Sequence, residues 1–161
     1  MKFCEQSNEP DARSILVDIH FCLGNIASET NAHSTSRKHK EIALELQLQT
    51  CKALDVVDLR LARCHSELGV ALIVDGDYDA AVSALLESLS IDEQLGVYTY
   101  NWVAQVNLGL AYVLQGKLVE ADKLLMAVQD RRETIFGKED TESYRLAVKL
   151  TTQLKRTEKS L

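Results

Sequence analysis

A single proline, Pro10, and seven glycines in 161 residues leave this chain with few helix breakers. Long helices are therefore open to it almost everywhere. No stretch approaches the ~18 apolar residues of a membrane span. The opening Met1-Lys2-Phe3-Cys4-Glu5-Gln6-Ser7 has no apolar core segment, which argues against a secretory signal. Cys4, Cys22, Cys51 and Cys64 show no C-x-x-C spacing and read as reduced thiols of a cytoplasmic protein, most of them packed as small hydrophobes. Positive charge is in the minority: 18 Lys+Arg against 24 Asp+Glu give a net charge of −6. Such a balance argues against a nucleic-acid surface, which needs a basic stripe to displace counterions. Residues 1–119 carry 9 basic and 16 acidic side chains, and residues 120–161 carry 9 and 8. The acidic excess in the first three quarters favours a basic or neutral partner.

Catalytic signatures are missing as well. Neither G-x-x-x-x-G-K-[ST] nor G-x-S-x-G occurs. Cys64-His65 suggests a nucleophile and base, but helix neighbours point about a hundred degrees apart and do not share a face. Asp75-Gly76-Asp77-Tyr78-Asp79 begins like a calcium loop, then places Ala80 where glycine is needed and Leu86 where the bidentate glutamate belongs. A capped turn between helices accounts for it better. His33 and His39 have no thiol or carboxylate at ligand spacing. The expectation is a protein that is not an enzyme and holds no metal or cofactor.

What the chain does contain is a repeat. Leu68-Gly69-x-x-Leu72, followed by Gly76, Tyr78, Ala81 and Leu85, recurs as Leu108-Gly109-x-x-Tyr112, followed by Gly116, Leu118, Ala121 and Leu125. Each matched pair is offset by 40 (109 − 69, 116 − 76, 121 − 81, 125 − 85). Gly69 and Gly109 leave space for close helix contact, with Ala81 and Ala121 opposite. Gly76 and Gly116 suit a turn with positive φ. Leu23-Gly24 is a degenerate earlier copy, 45 residues before Gly69 (69 − 24).

This pattern resembles the tetratricopeptide repeat (TPR), a helix-turn-helix unit read as L-G-x-x-Y and A-x-x-x-F. The longer period is similar to the kinesin-light-chain-like branch found in fungal TPR proteins. His65 and Gln105 occupy the family's tryptophan-like position, and the proline that closes the second helix is missing. The resemblance implies an all-α superhelix of about three repeats plus a C-terminal helix, in one domain over residues 13–157 behind a flexible segment 1–12. Repeats are expected at about 13–54, 58–94 and 99–135, with a capping helix at 142–156. Within them, helices are expected near 13–29, 37–54, 58–74, 78–94, 99–115 and 117–135. The run Thr30-Asn31-Ala32-His33-Ser34-Thr35-Ser36 is rich in side chains that compete for backbone hydrogen bonds. It reads as an enlarged turn that absorbs the longer first offset.

By the same resemblance, the first helices of successive repeats line a concave groove. Its expected residues are Arg63, Glu67, Val70 and Ile73 from one helix and Val103, Asn107, Leu110 and Leu114 from the next, with Phe21, Asn25 and Ser28 from the first repeat. Asn107 offers two donors and an acceptor to an extended peptide. No lysine falls among these positions, which disfavours the carboxylate clamp of chaperone-binding relatives. The half-apolar lining favours a hydrophobic or helical ligand. The implied function is a protein-interaction module that binds a peptide or helix, with no nucleic acid or membrane partner. The alternative is a sensor segment of a larger nucleotide-binding switch protein. Oligomeric state is open, with the monomer favoured.

Overall fold

The computed structural model describes residues 9–97, 102–136 and 149. The expected capping helix at 142–156 lies outside them, Lys149 apart. Six α-helices follow one another: α1 Glu9–Glu29, α2 His33–Leu54, α3 Leu59–Asp75, α4 Tyr78–Gln94, α5 Trp102–Leu114 and α6 Leu118–Phe136. Among the described residues there is no strand, and no helix is long and apolar enough to cross a membrane. Each helix packs against the next in sequence, and α3 also touches α5.

The repeated Gly and Leu positions explain the pairing. A Cβ placed on Gly69 would lie 2.6 Å from Leu85 Cγ, and one on Gly109 would lie 2.7 Å from Leu125 Cδ2. Each glycine thus forms the hole into which the leucine sixteen residues later inserts (85 − 69, 125 − 109). Ala81 and Ala121 are fully buried beside these contacts. In the first repeat, Gly24 faces the aliphatic stem of Lys40, with Cε 2.9 Å from a built Cβ, again sixteen residues on (40 − 24).

All three turns inside repeats are the same. From Gly24 to His33, Gly69 to Tyr78 and Gly109 to Leu118 is nine residues each time (33 − 24, 78 − 69, 118 − 109). Asn31 (φ 59°), Gly76 (φ 85°) and Gly116 (φ 77°) take the left-handed conformation at matched positions. The following residues, Ala32, Asp77 and Lys117, donate their amides to the carbonyls of Ala27, Leu72 and Tyr112 at 2.8–2.9 Å. This is the six-to-one bond that closes a helix through a left-handed residue.

The segment 30–36 is therefore not an enlarged turn. Only Thr30, Asn31 and Ala32 connect the helices, and α2 begins at His33 rather than near 37. Asn31 supplies the conformation that glycine supplies later, at low cost because Asn tolerates it. Ser36 is buried in the slot of Ala81 and Ala121. The five extra residues of the first offset lengthen α2, which has 22 residues where α4 has 17. The N-terminal end differs too. Residues 9–12, expected to be flexible, form the first turn of α1, where Pro10 is tolerated because its amide needs no partner.

Buried side chains form small clusters between adjacent helices. Leu72, Ala81, Ala84 and Leu85 of α3 and α4 pack with Ala104, Leu108 and Ala111 of α5. Val17, Phe21, Ala43 and Cys64 join α1, α2 and α3. Ile15, Leu16, Ile19, Leu23 and Ile26 of α1 stay outside every cluster, 41–61% exposed.

Candidate functional site

Two recesses open between the first helices of the repeats. The first, about 50 Å³, lies among α1, α2 and α3 and is lined by Asn25, Ser28, His33, Ser36, Lys40, Glu67, Val70, Ala71 and Val74. The second, about 300 Å³, lies among α3, α4 and α5 and is lined by Leu59, Ala62, Arg63, Ser66, Glu67, Ser88, Asp92, Val97, Val103 and Ala104. Glu67 borders both.

Lys40 organises the first recess. Its position belongs to the core leucine of the later repeats, so its stem packs against Gly24 while its ammonium reaches the opening, as long basic side chains do. Lys40 Nζ donates to Asn25 Oδ1 and to Glu67 Oε2, both at 2.6 Å. It also lies 5.1 Å from the Phe21 ring centroid, and the Arg63 guanidinium lies 4.8 Å from the same ring. Phe21 thus has two cations over its ring, a favourable arrangement for an aromatic face. Buried His33 Nδ1 has no hydrogen-bond partner among the described residues.

Lysine is therefore not absent from the groove, as the first-helix positions had suggested. It arrives from a second helix, and the equality of 40 − 24 with 85 − 69 is the signal that finds it. Its side chain is 4% exposed and its ammonium is already engaged by Glu67, so it is not free to clamp a ligand carboxylate.

The second recess has apolar walls and one unusual acid. Asp92 forms no ion pair or side-chain hydrogen bond with any described residue, and its carboxyl is pushed above its ordinary value by burial. Arg63 and Glu67 sit on one wall and Val103, 42% exposed, on another. Of the other expected groove residues, Val70 borders the first recess and Leu114 is 38% exposed. Leu110 instead packs with Val106, Leu125 and Val128, 9% exposed, because its side chain faces α6. Ile73 is half-buried against the same cluster. Asn107 is 7% exposed.

The residues weighed for chemistry have structural surroundings. Cys64 is fully buried, its thiol 3.8 Å from the Ala43 carbonyl and pushed up to about 12 chiefly by burial. Gly76 and Asp77 of the calcium-like segment cap α3 and α4, with Asp77 accepting from the Ala80 amide. Arg37 of α2 ties that turn down by pairing with Asp75 at 2.9 Å and Asp77 at 3.4 Å. Among the described residues, no group of three or more His, Cys, Asp or Glu is placed to hold a metal ion.

His20 and His39 meet across α1 and α2, Nδ1 to Nδ1 at 2.9 Å. One ring must be neutral for this bond, since two protonated rings have no acceptor between them. Burial, and secondarily His39, hold His20 below the ordinary histidine value.

No protein-family model matches the chain, and no curated protein matches it.

Proposed function

We propose that this chain is a TPR-type interaction module that binds an apolar peptide or helix carrying a basic side chain. The observation that carries this reading is the second recess. Leu59, Ala62, Val97, Val103 and Ala104 offer it apolar contact, and Asp92 offers it a partly desolvated carboxylate that pairs with no described residue. A carboxylate half out of water gains from a cation more than an exposed one does, because the local dielectric is lower. Apolar walls supply area, and Asp92 supplies orientation. The 40-residue periodicity, the glycine-leucine insertions and the matched turns support the repeat assignment.

The test is a peptide selection against the intact chain, followed by calorimetry of the selected peptides. Enrichment of Lys or Arg between apolar residues is expected. Asp92→Asn should weaken the winners about tenfold or more, the effect of breaking one charge-assisted contact in a desolvated site. Val103→Glu should do the same. Peptides that bind both variants as tightly as the native chain would overturn the reading.

A further inference from the structure

Two histidines meet where the repeat requires none. His20 of α1 and His39 of α2 approach Nδ1 to Nδ1 at 2.9 Å, with ring centroids 5.1 Å apart and planes tilted by 42°. The offsets place His65 and Ala84 at the matching positions of the second repeat (65 − 20, 84 − 39), and Gln105 and Leu124 at those of the third (105 − 65, 124 − 84). Ala84 and Leu124 pack in one apolar cluster. Twice, therefore, the hairpin closes with an apolar residue on its second helix. At position 39 the same place holds an imidazole, which gives up that apolar contact for a polar partner.

The distance between the rings says what the pair can hold. Two nitrogens bound to a metal at about 2.0–2.1 Å lie about 2.9 Å apart in right-angled positions and about 3.3–3.4 Å apart in tetrahedral ones. The separation of the two Nδ1 atoms matches the right angle. Imidazole suits copper, nickel and zinc, and right-angled positions belong to the tetragonal geometry of Cu²⁺ and Ni²⁺. The rings meet through their nitrogens rather than face to face, so small side-chain rotations turn both lone pairs toward one point. Both residues are half-buried, within reach of ions from solvent. Each ligand stands on its own helix, so chelation orders no loop. Of the basic residues beside His39, Arg37 is paired with Glu41 and Asp75, and Lys40 with Glu67.

We infer that His20 and His39 chelate a divalent cation of the Cu²⁺ or Ni²⁺ class and that the ion staples α1 to α2. Both rings then carry their proton on Nε2, leaving Nδ1 to the metal. Among the described residues, no third His, Cys, Asp or Glu joins the pair, and water fills the other positions. Ligand spacing along the chain hides the site, because nineteen residues separate the two histidines. This inference does not rest on the peptide-binding reading, since neither histidine lines either recess.

Titration calorimetry of the full chain with Cu²⁺, Ni²⁺ and Zn²⁺ tests it, in a Cys4→Ser, Cys22→Ser background that keeps these thiols from reducing copper. One ion per chain is expected, with copper and nickel bound more tightly than zinc, and saturating nickel should raise the melting temperature. His20→Gln and His39→Ala copy the residues that the chain itself uses at the matching positions, so the hairpin should still fold. Each should weaken nickel about tenfold or more, a loss that even the outer partners of a metal produce, and should remove the rise in melting temperature. His65→Gln should leave both unchanged. Electron paramagnetic resonance of bound Cu²⁺ should show coupling to two imidazole nitrogens, and to fewer in either variant. No binding, binding indifferent to His20→Gln and His39→Ala, or a preference for zinc would overturn the inference.

Discussion

Glycine at the three Leu-Gly positions serves different neighbours, and substitution should tell them apart. At Gly69 an added methyl meets the branched Cγ of Leu85 at 2.6 Å; at Gly24 it meets the far end of an unbranched lysine at 2.9 Å. Gly69→Ala should therefore destabilise by about 1–3 kcal/mol, the usual cost of overpacking. Gly24→Ala should cost less, and urea titration ranks the two. The same logic separates Ala81→Leu, which overpacks a fully buried site at about 1–3 kcal/mol, from Ser83→Leu on the exposed face, which should change little. Histidine gives a second prediction at this scale. His20, His65 and Gln105 share one repeat position, and both histidines are held below their ordinary value mainly by burial. The unfolded chain then takes up protons first, so stability is complete above about pH 6.5 and falls as pH drops through the folded values. His65→Gln, copying the third repeat, should flatten the decline of melting temperature below neutral pH. An unchanged slope would assign the decline to other groups.

At the scale of the element, helix ends decide the architecture. Asn31 stands alone among the three left-handed turn residues in carrying a side chain. Asn31→Gly should be neutral or slightly stabilising, whereas Asn31→Val should cost about 1–2 kcal/mol, because branching at Cβ clashes in that conformation. Thermal melts of the two variants check the difference. The boundaries of α4, and the close helix approach at Gly69 and Gly109, were legible in the sequence because matching residues recur at one offset; that Leu85 and Leu125 fill the space beside those glycines was not. The turn after α1 was not. Its glycine is replaced by Asn31, its alanine by Ser36 and its leucine by Lys40, so three substitutions disguised an unchanged backbone. Composition then suggested a loop where the chain is helical. The exposed face of α1 was missed for a related reason: periodicity marks an apolar stripe without saying whether a neighbour covers it. In the candidate site, Arg63, Glu67 and Val103 were legible from the repeat phase, whereas Asp92 and Lys40 lie on second helices that the phase rule left out. Leu110 fell in the right phase but turned to α6.

At the scale of the molecule, contacts run almost entirely between neighbouring helices. Stability in such an array is approximately a sum of unit and joint terms, so damage should stay local. Ala121→Leu, at a fully buried site in α6, should speed amide exchange across α5 and α6 far more than across α1 and α2. Uniform acceleration along the chain, read by mass spectrometry of peptic fragments, would contradict this. Arg37 and Arg60 tie distant segments, to Asp75 and Asp18 respectively. These pairs are partly exposed, so they add little to the coupling.

The three superposable turns have one more consequence. Each left-handed residue is followed by the same bond back to the helix before it, whatever side chains surround it. A chain cut after residue 32, 77 or 117 meets an interchangeable backbone joint. Duplicating or losing a stretch of coding sequence between two such joints would rejoin helices without a new loop. The length of the array is then free to drift in whole units, while a single helix, as α2 shows with its five extra residues, lengthens without disturbing the joint.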